Sequence, residues 1–343
     1  MKKSLLALAV LTAVTGAASA QSSVTLYGKV DLGLVVDSGS ASGKSVRIAS
    51  GVTGGSRIGF KGVEDLGGGM KAAFQLETGY CADSAAGAPN FCTGSNQFMG
   101  RQAHGDLTGA FGAISAGRQY SLGFNNLSTV DPFGTGFAGQ TNNSSASGLY
   151  MIDPSGIRLN NSVTYSTPNM AGLTASVEAA LGEQTGNWRS NRETGAAVTY
   201  ASGPVYAGFS FYDVGNAAGN GAAKKVYTLG ATWDLGVIKL HGLGQRVTGP
   251  STLDNANLMA GVTLPVAGGN VLASYIRHND RTSGDKDANQ IGVGYLYPLS
   301  KRTSVYTAFA RIQNLHGAAY LVGNATEQGT GDKAFNFGVV HNF

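Results

Sequence analysis

Apolar residues recur at every second position, segment after segment, along nearly the whole chain. This period of two restricts the fold more than any other feature. In the last segment Phe335, Phe337, Val339 and Phe343 share one parity, and Ala334, Asn336, Gly338, Val340 and Asn342 occupy the other. Tyr227, Leu229, Ala231 and Trp233 repeat the pattern, as do Ile291, Val293, Tyr295 and Tyr297. Successive side chains of a strand point to opposite faces, so each segment reads as a strand with one apolar face. Beyond the N-terminus no run of about eighteen apolar residues exists, so no spanning helix follows. Charged residues make up only 13% of the chain, against about a quarter in soluble domains.

In chain order, Val24, Leu26, Val30, Leu32 and Leu34 lie on one face of an opening strand, with Lys29 and Asp31 on the other. SRIGFKG turns through EDLGGG into MKAAFQLE, with Ile58 and Phe60 opposed to Arg57 and Lys61. Similar hairpins turn at 109–110, Asn169, 203–204, 235–236, 267–269 and 299–300 before a closing strand. One opening strand, seven hairpins and one closing strand give about sixteen strands, an even number as outer-membrane barrels need. Short turns alternate with longer polar loops at 37–55, 80–96, 121–160, 182–191, 214–224, around Pro250, 279–287 and 315–332. The expected fold is therefore all-β: a 16-stranded antiparallel transmembrane β-barrel. A closed barrel satisfies its backbone groups in hydrocarbon, and sixteen strands leave an aqueous lumen. A secreted β-sandwich would need only about seven to nine strands and lacks this loop asymmetry. Residues 121–160 show neither helical period nor sustained alternation. So long a loop in a compact domain is usually functional, and it is expected to fold into the lumen and narrow it.

The first residues read as an export signal. Met1-Lys2-Lys3 is a basic start, an apolar stretch follows, and Ala18-Ser19-Ala20 is a cleavage site, so residues 1–20 are expected to be a signal peptide and 21–343 the barrel. A buried first helix would not need these three parts in order. Export leads to an oxidising compartment, so Cys81 and Cys92, in one polar loop, are candidates for a disulfide. The formal net charge of +4 comes without any Lys/Arg run, so no nucleic-acid partner is expected. Nothing reads as a cofactor or metal site. DLGGG lacks the Lys-Ser/Thr of a phosphate loop. The five histidines are scattered without ligand spacing, and Asp280, Asp285 and Asp287 read as a solvated loop. No Ser-His-Asp constellation is readable, so an outer-membrane lipase or protease is the lesser reading and no enzyme is expected.

These residues carry a family resemblance. VTLYGKVDLGL, SRIGFKGVEDLGGGMKAAFQLE, FGAISAGRQYS, DPFGTGF and the terminal GVVHNF resemble the general diffusion porins of Gram-negative bacteria, of the β-proteobacterial type. The resemblance spans the chain after the signal. It implies location in the outer membrane, a homotrimer, contact with lipopolysaccharide and other outer-membrane lipids, and an inward-folded third loop. The terminal Phe343 corresponds to the family's signal for the barrel assembly machinery. The family also implies a basic half-ring facing an acidic patch on the inward loop. By motif, Lys29, Arg57, Arg101 and Arg158 match the basic side. Strand parity turns Lys29 and Arg57 to the lumen; it does not fix Arg101, and Arg158 lies at a loop-to-strand junction. Many relatives carry PEFG in the inward loop, whereas this chain has Asp131 before Pro132, leaving Asp131 and Asp153 as the acidic side. The expected function is passive diffusion of ions and small hydrophilic solutes, with weak anion preference, because basic rings favour anions. The alternatives are a substrate-specific channel and a barrel acting mainly as adhesin or structural element.

Overall fold

The structure, a computed structural model, describes residues 23–84, 97–145, 147–250 and 253–343. The expected signal peptide and Cys92 lie outside the described residues.

Among the described residues, seventeen strands form one sheet that closes on itself. They are β1 (Ser23–Ser40), β2 (Gly43–Ser50), β3 (Arg57–Gly67), β4 (Met70–Gly79), β5 (Gln102–Gly109), β6 (Gly112–Tyr120), β7 (Arg158–Ser166), β8 (Leu173–Ala180), β9 (Glu193–Ser202), β10 (Val205–Gly215), β11 (Ala222–Asp234), β12 (Lys239–Thr248), β13 (Asp254–Val266), β14 (Gly269–Asp280), β15 (Ala288–Pro298), β16 (Thr303–Asn314) and β17 (Lys333–Asn342). One helix, α1 (Leu122–Val130), stands between β6 and β7. Every ladder is antiparallel. The seam closes where β1 pairs with β17, from Lys29 opposite Asn342 to Ser38 opposite Lys333.

Seventeen strands make sixteen staves, because β2 and β3 lie end to end along the same neighbour. β2 pairs with the second half of β1, Leu32 opposite Ser50, and β3 with the first half, Lys29 opposite Arg57. Between them, residues 51–56 leave the sheet. This departs from the expected long loop at 37–55. The Gly- and Ser-rich residues there read as a loop, but Val46 and Ile48 face outward and Arg47 turns in to Asp37, so the alternation continues through them.

The burial pattern is inside out. Leu229, Leu258, Val293 and Phe337 are 60%, 63%, 54% and 55% exposed, while Glu77, Thr228, Gln245, Asn257, Gln290 and Asn336 are buried. An exposed apolar band around a polar interior is what hydrocarbon outside and water inside require.

The lumen also holds an apolar core. Phe133 and Phe137 pack with Val35, Val52, Leu272 and Tyr306. Leu127, Val130, Met151 and Ile152 pack with Leu243, Met259, Ile276 and Ile312. The inner face of β12 to β16 is thus partly apolar, because the segment between β6 and β7 lies on it. Backbone and side-chain bonds hang that segment on the wall: Ala138 N–H to Asn336 Oδ1 (2.6 Å), Asn143 Nδ2 to Gln290 Oε1 (2.8 Å), and the His241 Nδ1–H to the Val130 carbonyl (2.7 Å).

Candidate functional site: a basic passage beside the inward loop

The segment expected to lack regular structure begins with α1. Ser121 caps it, its hydroxyl accepting from Phe124 N–H at 3.0 Å. The Leu122 N–H is 3.2 Å from Glu178 Oε2, so a carboxylate sits at the positive end of the helix. Pro132 follows and cannot continue the helix. Gly123, Asn126, Leu127 and Val130 are buried, leaving Phe124, Asn125 and Ser128 toward open space. Short and polar, α1 has weak intrinsic helicity, and its seat supplies the rest. Gly208 and Gly230 are direct cross-strand partners. A Cβ on Gly230 would come within 2.8 Å of Val130 Cγ2, and one on Gly208 within 2.9 Å of Asn126 Cγ. Further along, Gly261 receives Pro132, and Gly292 and Gly294 receive Phe133.

Asp131 begins the turn after α1. It is buried, and accepts from Phe133 N–H (2.9 Å), Thr135 N–H (3.1 Å), Thr141 N–H (2.9 Å) and Thr141 Oγ1 (2.8 Å). Burial pushes its carboxyl above the usual range, while those four donors pull the other way. Asp153 binds Lys224 at 2.6 Å and the Ser155 N–H at 2.8 Å, and Gln245 brackets its backbone on both sides. Both carboxylates are engaged in holding the loop, and neither lines the passage described next.

That passage is a cavity of about 330 Å³. Lys29, Arg57, Arg101 and Arg158 all line it, brought together from β1, β3, the residue before β5 and the start of β7. Thr53, Gly54 and Gly55 add the 51–56 excursion; Phe124, Asn125 and Ser128 add α1; Thr135 and Asn142 come from the loop beyond. Glycine at 54 and 55 lets cations lie against backbone: a Cβ on Gly55 would meet Arg101 Nη1 at 2.6 Å.

Lys29 and Arg57 are opposed in register, a like-charge pair that is unfavourable in isolation. Two devices offset it. Lys29 Nζ donates to Thr53 Oγ1 (2.8 Å), which in turn donates to Asp31 Oδ2 (2.7 Å). The buried Glu77 takes Arg101 Nε at 2.7 Å, Arg57 Nη1 at 3.7 Å and the Tyr27 hydroxyl at 3.1 Å. Tyr120 oxygen accepts from both Arg101 Nη2 and Arg158 Nη2, each at 2.7 Å. Among the described residues Arg158 has no carboxylate within ion-pair distance. Four cations against Glu77 and Asp31 leave a net charge of +2 at the passage, and neither Asp131 nor Asp153 lines it.

Strand parity alone pointed to Lys29 and Arg57. It did not single out Glu77, Asp31 or Thr53 as the groups that hold them. Glu77 shares the inward parity of Gln75, a signal present but unspecific; Thr53 lies in an excursion that has no period. Cys81 is described and Cys92 is not, so their pairing lies outside the described residues. Phe343 exchanges two backbone hydrogen bonds of 3.0 Å with Gly28 and lays its ring over that glycine, at the outer wall beside the seam.

The sequence matches the family described as Gram-negative porin over residues 7–317. It is 38% identical over 331 residues to outer membrane porin protein 32 of Delftia acidovorans, covering 92% of this chain and 90% of that one. An outer membrane porin protein of Bordetella pertussis is 31% identical, covering 89% of this chain and 93% of its own. Among solved structures, the anion-selective porin from Comamonas acidovorans superposes with a TM-score of 0.76 at 30% identity, covering 94% of this chain and all of that one.

Proposed function

Given that the chain belongs to the Gram-negative porin family, we propose that its narrow passage prefers anions over cations. Its place is the outer membrane of a Gram-negative bacterium, where the water-filled barrel lets ions and small hydrophilic solutes diffuse passively. The observation that carries the preference is the charge at the passage: Lys29, Arg57, Arg101 and Arg158 against Glu77 and Asp31, with Asp131 turned to the loop's own N–H groups and Asp153 to Lys224 on the wall. Fixed cations in a constriction attract anions and repel cations. The structural relative of 30% identity is described as anion-selective, which supports the same reading. The test is the zero-current potential of the purified protein in a planar bilayer under a KCl gradient. The expected result is a chloride-to-potassium permeability ratio of about 3 or more; a cation-preferring potential would refute the reading.

In this reading the working form is a homotrimer, seen as trimer-sized migration in an unheated detergent gel. Lipopolysaccharide and other outer-membrane lipids cover the apolar outer wall, and Phe343 is the terminal signal for the barrel assembly machinery. Residues 1–20 are removed on export. Cys81 and Cys92 pair, which mass measurement after alkylation without reductant checks.

A further inference from the structure

We infer that the passage favours anions with a flat apolar body, aromatic monocarboxylates being the class, over aliphatic or inorganic anions of equal charge. This rests on the anion-preferring reading and adds a second, independent feature of the same cavity. Beside the cations lies an aromatic shelf. The Phe124 and Tyr120 rings stack with centroids 5.0 Å apart and planes 19° from parallel. The Arg158 guanidinium carbon is 4.5 Å from the Tyr120 centroid. Ile157 completes an apolar strip that, with Phe124 and Tyr120, lines the same 330 Å³ space as Arg101 and Arg158.

The shelf is held in place. Phe124 belongs to the first turn of α1, its N–H fixed to the Ser121 cap. The opposite face of α1 is locked onto Gly208 and Gly230, so the ring has little freedom to withdraw. Arg158 and Arg101 each commit one Nη to the Tyr120 oxygen, and a guanidinium carries five N–H donors in a planar fork. A carboxylate in the passage meets the Arg158 fork, and a ring attached to it lies against the face of Phe124 that Tyr120 leaves open. Stacked aromatic pairs gain beyond their area of contact, and the cavity is at the small end of ligand pockets, about 300–1,000 Å³, which suits one ring. Acetate or chloride meets the same charge with nothing for the shelf to hold.

The experiment measures block of chloride current through single channels by benzoate and by acetate, in one KCl background. Benzoate is expected to half-block at a concentration about fivefold to tenfold lower than acetate. Phe124→Ala is expected to bring the two together, and Phe124→Tyr to keep the difference. Equal block by the two anions in the unaltered protein overturns the inference and leaves the anion preference standing. So does a benzoate advantage that survives in Phe124→Ala. Should that variant not assemble, the comparison in the unaltered protein decides alone. A cation-preferring zero-current potential removes the underlying preference first, and this inference with it.

Discussion

At the scale of single residues, the passage shows how a cluster of like charges is made tolerable without being neutralised. Glu77 serves two guanidiniums, and Asp31 reaches Lys29 only through Thr53. Both acids are buried, as is Arg101, and they hold their partners in place, while Lys29, Arg57 and Arg158 keep partial contact with the lumen. Arg57→Glu exchanges a cation for an anion beside the others. The chloride-to-potassium ratio is expected to fall by roughly threefold to tenfold, since charges near a wet protein surface interact by about 1–2 kcal/mol; an unchanged zero-current potential would take Arg57 out of the constriction. Asp131 makes the contrary case. Removing it strands three buried backbone donors, a cost of about 3 kcal/mol or more to the loop. Asp131→Ala is expected to raise current noise and open the loop to protease, with little change in ion preference, because the carboxylate faces Thr135 and Thr141. A marked gain in anion preference would show instead that it acts on the pore.

At the scale of elements, the pairing of α1 with its wall was the part the sequence hid. SLGFNNLSTV has a capping serine but few apolar residues, and nothing local marks Gly208 and Gly230 as its partners. They are far from it in the chain, and register alone sets them side by side. Gly230→Leu places a side chain where Val130 now lies and is expected to push α1 into the passage. Overpacking of this kind costs about 1–3 kcal/mol, and single-channel conductance should drop. Gly242→Ala, on the neighbouring strand with nothing within 4 Å of its would-be Cβ, should leave conductance as it is. Equal conductance for both variants would mean that α1 does not set the bore. The β2–β3 stave teaches a related lesson. Its alternation is regular on both sides of residues 51–56, yet the glycines and serines there resemble a surface loop, and only the shared neighbour β1 shows one interrupted stave.

At the scale of the whole molecule, the fold is held by closure and by its two solvents. Every strand except β2 pairs on both sides among the described residues, β2 pairing with β1 alone, and the β1–β17 ladder closes the seam. Leu229 lies on the outer wall between Tyr227 and Trp233, the aromatics that bracket the apolar band on β11. Leu229→Arg is expected to cost about 2–4 kcal/mol in lipid, as for a charge near the bilayer midplane. Denaturant unfolding in vesicles measures it, and an unchanged midpoint would argue that this position is not lipid-facing. Thr228, one residue away, is buried on the lumen side.

The sequence by itself determined the stave count, the position of the short turns, the lipid-facing parity of strands such as β11 and β17, and the inward direction of Lys29 and Arg57. Each of these follows from local periodicity, which a strand imposes residue by residue. Only the tertiary structure decided the course of residues 121–157, the apolar patch beneath them on β12 to β16, and the gathering of Arg101, Arg158 and Glu77 around one cavity. Those depend on contacts between residues tens to hundreds of positions apart. A period of two says which wall a side chain is on, but not what lies across the lumen from it.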